Sequence, residues 1–294
     1  GRERARPQDP MQVASGVIAI GSEALLPARG LAISARLEDL EVDPWIALLQ
    51  GDGSASAGPL VPERLAISAR HLRYGNRDLS NAVLGASFDR GHWRLNLESR
   101  ELAGFASWRV DSKDDPGEVV GRFRRVHWPQ QDLDLAQRIR NLDLSPQRLP
   151  AMDLQIESLR IGDRDFGASA IKASSRRREG TWCWSLDEAQ LQIQGARLLA
   201  SGNWKSNAMQ LELDLKIDDA GQALNKLGFP ETFRGGEGRL SGQLAWRGLP
   251  WDPQVPTLEG RLEVALGRGR FLRFIDLLHQ SPTRGNRLPK DKAE

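Results

Sequence analysis

The sequence predicts a mainly-β protein, and three observations carry that prediction. The first is alternation. From residue 209 to 217 the chain reads Met-Gln-Leu-Glu-Leu-Asp-Leu-Lys-Ile. Successive side chains of a strand point to opposite faces, so Met209, Leu211, Leu213, Leu215 and Ile217 form one apolar row. A helix would scatter the same residues around its circumference. The second is punctuation: Gly75-Asn76 and Gly162-Asp163 sit between strand-like runs, and both members of each pair tolerate the positive φ of a hairpin turn. The third is an internal repeat. Leu72-Arg73-Tyr74-Gly75-Asn76-Arg77-Asp78-Leu79 is echoed by Leu159-Arg160-Ile161-Gly162-Asp163-Arg164-Asp165-Phe166. Gly91-His92-Trp93 is echoed by Gly180-Thr181-Trp182, and Ala106-Ser107-Trp108 by Gly202-Asn203-Trp204. Three echoes in the same order point to a supersecondary unit stacked on its own copy, roughly residues 65–112 and 152–206.

The elements follow in order. Residues 1–12 are polar and proline-bearing and read as a linker. Strands begin at 17–20 and 31–37. Asp43 and Pro44 suit the start of a short helix with Trp45, Leu48 and Leu49 on its apolar side and Gly51 at its exit. Residues 51–62 are a Gly/Ser/Pro loop. After the first repeat unit, 119–126 reads as a strand, 131–141 as a helix and 145–150 as a proline-bounded link. The second unit supplies strands at 152–156, 182–186, 189–193 and 198–204. Asp218 and Asp219 can cap another helix, with Leu224 and Leu227 inward and Gly228 at its exit. Strands return at 239–246, 258–266 and 268–272, and the basic tail 273–294 is expected to be disordered.

Composition narrows the function. Of 294 residues, 41 are Lys or Arg and 39 Asp or Glu, a net +2, which offers no electrostatic attraction for nucleic acid. Hydrophobic residues make up 39% and the mean hydropathy is −0.47, fewer core formers than a compact enzyme carries. The single cysteine, Cys183, excludes an internal disulfide and a cysteine zinc site. No apolar run approaches the ~20 residues of a membrane-spanning helix. The chain opens on Gly-Arg-Glu-Arg without a signal peptide, so a piece of a longer protein is expected, its anchor or export signal lying elsewhere.

Catalytic chemistry is not expected. His71, His92, His127 and His279 are scattered without ligand spacing. Asp163 with Asp165, and Asp132 with Asp134, sit in turns or near helix starts, where aspartate bonds locally. No serine sits in a nucleophile elbow and no histidine is placed to activate Cys183. Neither metal nor cofactor is expected.

What remains is the apolar face. Periodicity alone fits a closed sandwich or barrel whose faces cover each other. It also fits a sheet open along its length, because two or three short helices are too few to cover well over a dozen strands. The candidate lining is Leu154, Ile156, Leu191, Ile193, Met209, Leu211, Leu213, Leu215, Ile217, Leu240, Leu244, Leu258, Leu262, Val264 and Leu266.

Further residues carry a resemblance: 37–45 (Leu-Glu-Asp-Leu-Glu-Val-Asp-Pro-Trp), 149–154 (Leu-Pro-Ala-Met-Asp-Leu), Leu159-Arg160-Ile161-Gly162, Ala200-Ser201-Gly202-Asn203-Trp204, the helix at 218–228, the Gly-rich 235–242 and Gly269-Arg270-Phe271-Leu272. In order and spacing these resemble the AsmA-like superfamily, most closely its YhdP branch. The resemblance implies an elongated, twisted antiparallel sheet curved into an open hydrophobic groove over 13–272. It implies a segment of an inner-membrane-anchored protein reaching through the periplasm of Gram-negative bacteria. Such a segment would carry phospholipid acyl chains between inner and outer membranes without being an enzyme. The competing expectation is a β-solenoid scaffold for envelope assembly, its interior filled by its own side chains.

Overall fold

The computed structural model describes residues 2–3, 12–13, 15–23, 25–44, 62–75, 77–109, 116–128, 149–178, 181–230, 233–267 and 269–271. Fourteen strands stand side by side in chain order. They are β1 (Ser15–Ile20), β2 (Gly30–Glu41), β3 (Arg64–Tyr74), β4 (Arg77–Asp89), β5 (His92–Glu98), β6 (Leu102–Arg109), β7 (Glu118–Trp128) and β8 (Ala151–Ile161), then β9 (Arg164–Arg178), β10 (Thr181–Ile193), β11 (Ala196–Lys205), β12 (Ala208–Ile217), β13 (Gly238–Leu249) and β14 (Glu259–Leu266). Asp252–Pro253 folds back on the end of β13 as the fifteenth strand of the sheet. At ~4.8 Å per strand the row is on the order of 60 Å long. Its first and last strands do not meet, so the sheet is open.

The sheet is mostly antiparallel, with three parallel joins: β1 to β2, β2 to β3, and β7 to β8. Counting strands explains the last of them. Strands β3–β7 form an antiparallel meander of five joined by short turns, and so do β8–β12, which β13 and β14 extend antiparallel beyond the helix. Five is odd, so the chain leaves each meander at the end of the sheet opposite to its entry. A hairpin cannot start a strand in the same direction, so the parallel strand β8 requires a longer connection than a turn. The three sequence echoes occupy equivalent places in the two meanders: the first hairpin, the start of the third strand and the fourth strand.

Within strands, the apolar alternation changes parity at bulges, and in β2 and β3 at a place where both strands skip a pair together. Leu37 steps to Leu40, Ala69 to Leu72, Phe123 to Val126, Ile156 to Leu159 and Leu186 to Ala189, each a stride of three instead of two. An extra residue in a bulge turns the rest of the strand over, and here it keeps apolar residues on one side after the sequence changes phase. Residues 182–186 and 189–193, expected as two strands, are therefore the single strand β10, bulged at Asp187 and Glu188.

The α-helix among the described residues is α1 (Ala220–Lys226). Asp219 caps it by accepting from the Gln222 amide at 3.0 Å. It closes with Gly228 at φ +86° and with Phe229 N–H donating to Leu224 O, the glycine-terminated ending the sequence anticipates. Asp43 and Pro44 are helical; residues 45–50, the helix expected at 131–141 and the tail from 272 lie outside the described residues. The stretch expected as a linker pairs Arg2–Glu3 with Gln12–Val13, and Phe233–Gly235 pairs with Gly269–Phe271.

No described strand packs substantially on any strand other than its hydrogen-bonded neighbours. The described strands thus form one long, continuous sheet that does not close on itself, rather than two separate sheets.

Candidate functional site

Residues directly opposed in a ladder share a face, so the registers trace rows across the sheet. One row runs Ile18, Ile33, Leu65, Ala86, Leu95, Ala106 and Gly121, then Leu154, Ile171, Ala189, Ala200, Leu213, Gly242 and Leu262. It takes one residue from each of the fourteen strands and none is polar. The neighbouring row includes Leu84, Leu97, Phe123, Ile156, Leu191, Leu198, Leu215, Leu240 and Val264. Its interruption is Ser169, buried with no partner for its hydroxyl.

The expected lining residues fall on this face with one exception. Leu154, Leu213 and Leu262 stand in the first row; Ile156, Leu191, Leu215, Leu240 and Val264 stand in the second. Leu211 and Leu244 flank Gly202 and Gly260, and Ile193, Ile217 and Leu266 close one end of the strands. Leu258 precedes β14 and has no place in the ladder, because the 3-10 turn Val255–Thr257 delays the strand by a residue. Met209 is on the face but only 1% exposed, clustered with Trp184, Trp204 and Trp246, so it belongs to the packing at one rim. Sequence reasoning missed the face in the first meander, including Leu65, Leu84, Leu95 and Phe123. Their alternation is as regular, but the parity changes hid which residues shared a side.

Along that rim four tryptophans are pinned through their indole N–H groups to backbone carbonyls. Trp108 donates to Pro116 O (3.2 Å), Trp184 to Pro150 O (3.3 Å), Trp204 to Gly248 O (2.9 Å) and Trp246 to Leu249 O (2.9 Å). Two of the acceptors are prolines on the approach to β7 and β8. The rings therefore spread over apolar neighbours while their one polar atom is satisfied.

The sheet bends toward the apolar side. A methyl added to Gly202 would lie 2.3 Å from Gln210 O and 3.1 Å from the Leu211 Cα; one on Gly242 would lie 2.1 Å from Arg261 O. Both glycines stand in the apolar rows and let the backbone of the next strand approach closely, Gly242 at φ +155°. Gly85, on the polar face, has nothing within 4 Å of such a methyl. Side chains across the apolar face also meet over long spans: the Arg77 guanidinium lies 3.9 Å from the Trp128 ring centre, although β4 and β7 are three strands apart.

The other face is charged. A shallow cavity of about 710 Å³ there is lined by residues including Asp187, Glu212, Asp214, Arg239, Arg261 and Glu263, with no histidine or cysteine in its walls. Arg239 donates to Asp214 at 2.9 Å and holds its carboxyl below the usual range. Hydrogen bonds from the Gln222 amide and side chain do the same for Asp219. Among the described residues no group of His, Cys, Asp and Glu could hold a metal ion. No helix of the described residues is long and apolar enough to cross a membrane.

His127 is pushed below its ordinary pKa by burial, and then by Arg160 and Arg125. The unfolded chain therefore binds this proton more readily than the folded one. Stability is expected to fall as pH drops through about 6.5 and to fall again below about 4 as Asp214 and Asp219 protonate. Urea midpoints between pH 7.5 and 5 should show the first slope, and His127→Gln should flatten it.

An open sheet bent around an unbroken apolar lining, polar on its outer side, defines a β-groove protein. The chain belongs to the YhdP family, whose model, described as YhdP protein, matches residues 2–286. No curated protein and no solved structure matches the chain.

Proposed function

We propose that this chain is a segment of an envelope protein that carries phospholipid acyl chains along its apolar rows between inner and outer membranes. The observation that carries the reading is the row of fourteen apolar residues on the side toward which the sheet bends. Burying hydrocarbon is worth about 0.8 kcal/mol per methylene, so a dozen methylenes in the groove gain on the order of 10 kcal/mol. Because each strand offers the next an equivalent contact, a sliding chain exchanges one for another and the barrier per step stays small. The polar outer face keeps such a segment in water. Family membership supports the same reading.

The test is Leu213→Arg. Leu213 lies between Ala200 and Gly242 in the first row, and a guanidinium set against hydrocarbon costs several kcal/mol. Lipid co-purifying with the gently isolated chain, measured by mass spectrometry, should fall about tenfold or more, while thermal unfolding stays close to that of the unmodified chain. Photo-crosslinkers at Leu211 and Leu213 should capture phospholipid in cells. Crosslinkers that never do so, with no lipid on the purified chain, would favour a scaffold filled by its own side chains.

A further inference from the structure

We propose that the free edge of β14 is a self-association surface, where two copies of this chain pair antiparallel across a two-fold axis at Leu262 and join their grooves end to end. The proposal goes beyond the lipid reading and does not depend on it.

β14 is the last strand of the sheet, and among the described residues nothing pairs with its outer edge. All eight of its residues are exposed. Leu262 is 44%, Val264 56% and Leu266 79% exposed, whereas Leu240 and Leu244, on the same face of β13, are half-buried. Folded proteins blunt such edges with proline, lysine, a bulge or a charge on the inward face. β14 has none of these. It pairs with β13 without a register shift, and its charges, Glu259, Arg261 and Glu263, all stand on the polar face. The remaining edge of β13 is, by contrast, closed by Asp252–Pro253, whose proline lacks the N–H for a further ladder.

Charge selects the occupant of this edge and its register. Opposed residues share a face, so two copies joined with their apolar sides together must set even positions against even positions. Pairing about Leu262 sets Leu262 against the partner's Leu262, Val264 against the partner's Gly260 and Arg261 against the partner's Glu263. Symmetry makes the Arg261 contact occur twice. The neighbouring two-fold registers set Arg261 against the partner's Arg261, or Glu263 against the partner's Glu263, and like charges directly opposite are destabilising. The favoured register also continues the lining. The first apolar row ends on Leu262, so it runs into the first row of the partner without a step. Leu258, 45% exposed and just before the strand, comes toward the partner's Leu266. A two-fold contact uses the same patch on both copies and is closed, so assembly stops at two.

The experiment is sedimentation equilibrium of the 294-residue chain over a range of concentrations. A ladder of this length is a small interface, so the dimer should be reversible, its mass rising with concentration toward twice the 32.6 kDa of one chain. Arg261→Glu and Glu263→Arg each turn both cross-strand attractions into repulsions, and each alone should weaken association by about tenfold or more. Both positions are exposed, so neither change disturbs the fold. An equal mixture of the two variants should recover the dimer, because each chain then meets opposite charge. The double variant, Arg261→Glu with Glu263→Arg, should recover it too. A chain that stays monomeric overturns the proposal; if it dimerises only once residues 272–294 are removed, the edge belongs to that segment instead. Open-ended growth would assign the edge to β1 of the next copy, and a dimer indifferent to both single changes would place the contact elsewhere. Either result overturns the two-fold pairing.

Discussion

Trp204→Ala is expected to lower the stability of the chain by about 3–5 kcal/mol, the cost of removing a fully packed indole. Trp204 is 1% exposed and clusters with Trp184, Met209 and Trp246. Its N–H reaches past β12 to the carbonyl of Gly248 at the end of β13, a hydrogen bond wholly buried. Truncation therefore opens a cavity between three strands and also strands an acceptor. Out of a total stability typically near 5–15 kcal/mol, the loss is large. It should appear as a lower urea midpoint at unchanged slope. Trp204→Phe keeps most of the ring and leaves only the Gly248 carbonyl unpaired, so a smaller loss of about 1–3 kcal/mol is expected. Equal midpoints for the Ala variant and the unmodified chain would mean that the rim does not hold the strands together.

The second large effect concerns curvature. Gly202→Val should destabilise by about 3 kcal/mol or more, toward the upper end of what overpacking costs. The new Cβ meets backbone, at 2.3 Å from Gln210 O and 3.1 Å from the Leu211 Cα, besides the Met209 methyl at 2.8 Å. Backbone cannot rotate away as a side chain can, so β11 and β12 must separate or the bend must open. Gly85→Ala is the control from the opposite face. With nothing within 4 Å, it should be neutral or stabilise by up to about 1 kcal/mol through loss of freedom in the unfolded chain. If both substitutions behaved alike, the close approach of the β12 backbone to Gly202 would not constrain the sheet.

Much of the fold was legible in the chain because alternation is a local property. The run 209–217 became β12 almost residue for residue, and Asp219 with Gly228 bounded α1, since a cap needs only its own next few amides. The shared apolar face was legible wherever parity held, as at Leu211, Leu213, Leu215, Leu240, Leu244 and Leu262. It was misread where a bulge inserted a residue: β10 looked like two strands, and the shared face of Leu65, Leu84, Leu95 and Phe123 went unseen. The repeat echoes were visible, but the end of the first meander was not, because it is a switch from antiparallel to parallel pairing at β7–β8 and no residue type marks one.

By itself the sequence determined which side of each strand is greasy, where hairpins turn and where a helix is capped. It also showed a net charge of only +2, little to attract nucleic acid, and a single cysteine, which leaves no disulfide within the chain. Tertiary structure alone decided that the greasy sides line up into one row of fourteen, that strands join in parallel at β1–β2, β2–β3 and β7–β8, and that the sheet bends toward its apolar face instead of closing on itself. The reason is range. Facing is set by neighbours one or two residues away, whereas register, direction and curvature depend on which distant strand lies alongside, and no short stretch of chain carries that choice.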